Sequence, residues 1–147
     1  MSTSKGLFIS FEGIDGCGKS TQIKMLCSYL KDRNKELLMV REPGGTDISE
    51  KIRKILLHSH DQKISDRTEA LLMTGSRAQL IDEKILPFLN RGKIVIADRF
   101  LDSTLAYQGG GRELDLNLLI DLNKFATNNT FPDITFFIDI EPEIGAK

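Results

Sequence analysis

The sequence predicts an α/β protein, a three-layer arrangement in which helices cover both faces of a parallel sheet. Three observations carry that expectation. A glycine-rich loop, Gly13 to Ser20, follows one apolar run and precedes a helical segment; a second apolar run, Ile94 to Ala97, closes on an acid, Asp98; and strand-like runs alternate with amphipathic stretches along the chain.

Residues 6 to 12 read as a buried strand entering the glycine loop, and 18 to 33 as a helix with Ile23, Leu26, Cys27 and Leu30 on one face. Glu36 to Val40 is a second short strand, ended by the turn-forming Arg41-Glu42-Pro43-Gly44-Gly45-Thr46; Ile48, Ile52, Ile55 and Leu56 then mark an amphipathic helix. A longer helix is predicted from about Thr68 to Leu89, with Pro87 near its end. Gly92 to Asp98 is the clearest buried strand. After it come a polar turn or short helix, a loop at Gly109 to Arg112, a helix from Asp115 to Ala126 and a last strand from Pro132 to Ile140. Four strands are expected, with no repeat, low-complexity tract or linker, so residues 1–147 read as one domain.

Lys plus Arg (20) nearly balance Asp plus Glu (21), with no block of like charge, which disfavours a surface for a nucleic acid polymer. Any anion site is therefore local. Two cysteines, Cys17 and Cys27, cannot build a disulfide framework and lack a zinc-binding context. No apolar run is long enough for a signal sequence or a membrane span. The expectation is a soluble, cytoplasmic protein.

Gly13-x-x-x-x-Gly18-Lys19-Ser20 satisfies the Walker A pattern in the strand-to-helix setting it requires. Glycines let successive backbone N–H groups turn toward an anion, and the helix adds its positive end. The loop residues Gly13, Ile14, Asp15, Gly16, Cys17, Gly18, Lys19, Ser20 and Thr21 are accordingly expected to bind the phosphates of a donor nucleotide. Lys19 reaches the β- and γ-phosphates, and the Ser20 hydroxyl ligates Mg²⁺. Neither Asn-Lys pair, Asn34-Lys35 nor Asn123-Lys124, is followed by x-Asp, which argues against a GTPase. Asp98 stands at the carboxyl end of its strand, where α/β crevices bind ligands, and is read as the Mg²⁺-organising acid. Arg99 follows it, a fork suited to a phosphate. Together these residues predict the P-loop nucleotide hydrolase or kinase type of fold.

The successive segments FEGIDGCGKSTQ, REPGGT, EALLMTGSRAQ, DRFLDSTLAYQGGGR and PDITFFID resemble, in order, those of the thymidylate kinases, P-loop nucleoside-monophosphate kinases that act on dTMP. The resemblance implies transfer of the γ-phosphate of ATP to dTMP with Mg²⁺. It implies Lys19, Asp98, Arg99 and Asp15 as catalytic, with Asp15 near the acceptor's 3′-hydroxyl. Arg41, Glu42 and Pro43 would form the acceptor-side loop, and Arg53 and Arg99 would clamp the acceptor phosphate. Arg77 and Thr104 would bond the thymine edge, while Tyr107, beside Gln108, would pack on the deoxyribose. A homodimer is implied as well. Its apolar contact could come from Ile48 to Leu57 or Ile81 to Leu89, stripes that equally suit a core.

Two departures from the family pattern stand out. Met73 occupies a position where the family commonly has Phe, four residues from Arg77 and so on the same helical face. A thioether on a base orients less firmly than a phenyl ring, and Met73 reads equally well as core beside Leu71 and Leu72. The loop also holds Gly16-Cys17 where some members carry an arginine; others draw one from a lid that follows the strand ITFFIDI. The chain ends at Lys147, before any counterpart of that lid, so the expectation is a C-terminally shortened domain that binds both nucleotides and turns over slowly. Such an arginine can be worth roughly 10³–10⁵ in rate. A kinase of another nucleoside monophosphate, a nucleotide-binding remnant and a P-loop ATPase acting on a protein partner remain alternatives at this level.

Overall fold

A computed structural model describes residues 5–58, 63–111 and 114–145. Its four strands are β1 (Leu7–Glu12), β2 (Leu37–Arg41), β3 (Ile94–Asp98) and β4 (Ile134–Phe137). They form one parallel sheet in the order β2-β3-β1-β4. Parallel neighbours end on the same side, and the register sets Phe11 beside Asp98 and Asp98 beside Arg41. The loops that follow β1, β2 and β3 therefore open onto one edge.

Side chains alternate across this sheet and build two cores. Phe8, Val40, Val95 and Ala97 pack on one face with Leu80, Ile81, Ile85, Leu89 and Phe100. Ile9, Phe11 and Ile96 pack on the other with Ile23 and Cys27 of helix α1 (Lys19–Lys31). Each fully buried large apolar side chain contributes about 1.5–3 kcal/mol, so the two interior strands hold the layers together. The face expected of α1 is the one it buries. Burial also pushes the Cys27 thiol up, against a smaller opposing effect of Lys31.

The remaining helices are α2 (Asp47–His58), α3 (Asp66–Leu80), α4 (Leu86–Asn90), α5 (Leu101–Thr104), α6 (Leu116–Ala126) and α7 (Pro142–Gly145). α3 begins two residues before the predicted Thr68 because Ser65 caps it, its hydroxyl accepting the Thr68 N–H at 3.3 Å. The predicted single helix to Leu89 is in fact α3, a π-helical turn at Ile81–Ile85, and α4. Ile81, Ile85 and Leu89 are buried there, so this stripe is core. Ile48 and Ile55 of α2 stay about half exposed (49% and 50%) while Ile52 and Leu56 are partly buried, so that stripe is core only in part. Leu71, expected in the core, is exposed as well.

Two further boundaries differ. The predicted loop at Gly109 to Arg112 is largely a second π-helical turn, Leu105–Gly110, closed by the Gly111 N–H bonding to the Ala106 carbonyl; Arg112 lies outside the described residues. The last strand is only four residues long because β4 pairs with β1 alone, over Ile9 to Glu12. Among the described residues, no helix is long and apolar enough to cross a membrane.

Candidate nucleotide site

The loop between β1 and α1 is held by its own lysine. Lys19 Nζ donates to the carbonyl oxygens of Gly13 and Ile14, each at 2.8 Å. Gly16 sits at φ 77°, and a Cβ there would stand 2.2 Å from the Gly145 carbonyl oxygen, so only glycine fits. No acidic residue occupies the first turn of α1, which leaves that positive helix end to an anion.

One strand over, Asp98 Oδ2 lies 3.5 Å from the Ser20 hydroxyl, which donates to it. Arg99 follows in the left-handed region, at φ 69°. Its Nη2 donates to Asp15 Oδ1 at 2.7 Å and its Nη1 to the Ser103 hydroxyl at 3.2 Å; its guanidinium carbon stands 5.7 Å from the centre of the Tyr107 ring. Burial works against the Arg99 charge, but the bond to Asp15, with Tyr107, outweighs it and raises the pKa above the ordinary value.

The turn after β2 approaches the same edge. Glu42 N–H donates to the Asp98 carbonyl at 3.1 Å, and the Glu42–Pro43 peptide is cis. Arg41 Nη2 bonds both oxygens of Glu50, which also accepts the Gly45 N–H at 2.8 Å. The Gly45 bond first, and Arg41 after it, hold the Glu50 carboxyl below its usual range against burial. Arg53 Nη1 donates to the Pro43 carbonyl at 2.9 Å. Burial, then the nearby Arg41 charge, lower the Arg53 pKa, with Glu50 opposing.

Arg77 of α3 is 1% exposed and nearly saturated with partners. Its Nε and Nη2 bond the buried Glu42 carboxylate, Nη2 also faces the Phe100 carbonyl (3.1 Å) and the Thr104 hydroxyl (2.8 Å), and Nη1 bonds Asn123 Oδ1. Burial pushes the Glu42 carboxyl up, the charge and hydrogen bonds of Arg77 oppose this, and the Glu12 charge adds to it. A guanidinium has five N–H groups, and one on Nη1 is left without a partner among these contacts.

These elements enclose a cleft of about 600 Å³. From the first loop, Asp15, Gly16 and Gly18 to Thr21 reach its wall; from β2 and α2 come Arg41, Glu42, Pro43 and Arg53. Met73 and Arg77 share a wall, as their spacing predicts, and Asp98, Arg99 and Tyr107 face them. Gly13, Ile14 and Cys17 belong to the loop but do not line the cleft. Thr104 is fully buried and stands behind Arg77 instead of on the wall. The Gln108 side chain lies outside the described residues. Leu57, Phe100 and Ser103 line the cleft without having been singled out, and Asn123 grips Arg77 from α6. No short motif announces Asn123; its signal is a polar residue on the apolar side of a helix.

A loop of this kind leading off a central parallel strand, with an acid one strand away and a polar cleft between, defines the P-loop phosphotransferase class. Comparison with known proteins narrows this. The family model described as thymidylate kinase matches residues 11–147. The thymidylate kinase of Thermosipho africanus is 54% identical over 141 residues, covering 96% of this chain and 70% of the relative. That of Caldanaerobacter subterraneus subsp. tengcongensis is 54% identical over 143 residues, covering 97% and 68%. The crystal structure of thymidylate kinase from Ehrlichia chaffeensis superposes with a TM-score of 0.86 at 41% identity, covering 95% of this chain and 78% of that one. The chain belongs to the thymidylate kinase family.

Proposed function

We propose that this protein transfers the γ-phosphate of ATP to dTMP, giving dTDP and ADP. The observation that carries the reading is the convergence on one cleft of the phosphate loop, the Ser20–Asp98 contact and the Asp15–Arg99 pair. In this reading ATP lies along Gly13 to Thr21, and Lys19 exchanges its loop carbonyls for phosphate oxygens. Ser20 and Asp98 would hold Mg²⁺: two oxygen donors at the cleft suit a hard cation that completes its shell with water and phosphate. When bound, Mg²⁺ neutralises charge on the phosphates.

On the acceptor side, Arg99 and Arg53 take the dTMP phosphate, since each lines the cleft from a different element. Two fixed cations offset the repulsion between anions that must meet in line, the largest electrostatic obstacle in phosphoryl transfer. Asp15 orients the sugar's 3′-hydroxyl, and Tyr107 packs on the deoxyribose. The spare Nη1 hydrogen of Arg77 reads the thymine edge, while Met73 lies on the ring; Thr104 orients Arg77 and does not touch the base. The half-exposed Ile48, Ile55 and Leu71 support pairing of two copies through α2 and α3, which sedimentation would read directly.

The test is to incubate the chain with Mg-ATP and each of dTMP, dUMP, dCMP, dGMP and AMP separately, and to quantify the diphosphate formed. dTDP is expected to exceed the other products. Equal conversion of the other acceptors, or ATP hydrolysis with no acceptor present, would overturn the assignment.

A further inference from the structure

Glu12, the last residue of β1, is 3% exposed and is absorbed by none of the roles above. Its Oε1 accepts the Phe100 N–H at 2.7 Å and its Oε2 the Ser103 hydroxyl at 2.5 Å, and among the described residues both donors are uncharged. A carboxylate accommodated this way is a group with two acceptors and no donor. The Ser103 hydroxyl has one hydrogen, and giving it to Glu12 commits the oxygen to accept; the group facing that oxygen is Arg99 Nη1, at 3.2 Å. The backbone is tied in the same way. Arg99 N–H bonds the Phe11 carbonyl at 2.9 Å and the next N–H bonds Glu12, so β1 holds both peptides flanking the left-handed Arg99.

We infer that Glu12 is a positioning residue, which sets Arg99 for the acceptor phosphate through the Phe100 peptide and the Ser103 hydroxyl. The inference rests on the role proposed for Arg99. Glutamine cannot replace it, since either amide orientation turns an NH₂ toward Phe100 N–H or toward Ser103 and sacrifices one of the two bonds or the direction of the relay.

Calorimetric titration of the full chain with dTMP, thymidine and ATP tests this, because only dTMP among the first two carries the phosphate. The preference of the wild type for dTMP over thymidine is expected to fall about tenfold in Glu12→Gln, as for loss of one buried charged hydrogen bond. Thymidine and ATP affinities should hold. Ser103→Ala should reproduce the loss and Ser103→Thr, which keeps the hydroxyl, should restore the preference; this pair decides the matter if Glu12→Gln does not fold. If Arg99→Ala abolishes the preference while Glu12→Gln and Ser103→Ala leave it intact, the relay is refuted. If the wild type shows no preference for dTMP, the acceptor assignment itself falls, and the inference with it.

Discussion

The Arg77–Glu42 pair shows how a cleft-lining group can be a structural hazard. Both side chains are withdrawn from solvent, and their mutual attraction offsets a large desolvation cost. Arg77→Met should therefore destabilise the protein by about 3–5 kcal/mol, by leaving a buried carboxylate without its cation. Adding Glu42→Gln should recover part of that loss, which paired denaturant titrations would measure. Glu50 gives a pH signature. Its carboxyl is held below its ordinary value of 4.5, so the stability it contributes is present above that pH and disappears as pH falls through the lower folded value. The denaturation midpoint of the wild type should thus fall more than that of Glu50→Gln on acidification from neutrality to below pH 4.5.

At the scale of elements, two glycines with opposite surroundings make a matched test. Gly16→Ala forces a left-handed alanine against the Gly145 carbonyl, whereas a Cβ on Gly75, within α3, meets nothing within 4 Å. The first should weaken ATP binding by about tenfold or more; the second should be neutral or raise stability by roughly 0.5–1 kcal/mol. Titration with ATP and thermal melting separate the two. Here the limits of sequence reading are physical. The glycine loop, the buried strands and the shared face of Met73 and Arg77 were legible because spacing alone encodes them. The π-helical turn at Ile81–Ile85 was not, since apolar residues four apart suit an α-helix nearly as well as the wider turn. The contacts of Arg77 with Glu42, Asn123 and Thr104 were illegible for another reason: they join the turn after β2 to α3, α5 and α6, and no local pattern specifies which distant acceptors a buried guanidinium will find.

For the whole molecule, the proposed donor and acceptor sites lie in one cleft at the carboxyl edge of the sheet. A compound joining adenosine to thymidine through a polyphosphate should therefore raise the melting temperature more than ATP and dTMP supplied together. At a concentration 100 times its Kd the gain is about 2.7 kcal/mol, a shift of roughly 5–11 °C for a domain of this size. Equal shifts would mean that the two nucleotides do not share the cleft.

The order β2-β3-β1-β4 also dictates when the sheet can exist. Every pairing in it involves β3 or β4: β1 with β3, β2 with β3, and β1 with β4. A nascent chain emerging from the ribosome thus carries β1 and β2 with no strand to bond until Ile94 to Asp98 has been synthesised, the partner of Leu7 arriving 87 positions later (94 − 7). Until then Phe8, Ile9 and Phe11 wait as an apolar segment open to chaperones or to misassociation. The strand that carries Asp98 to the cleft is the one that lets the sheet begin.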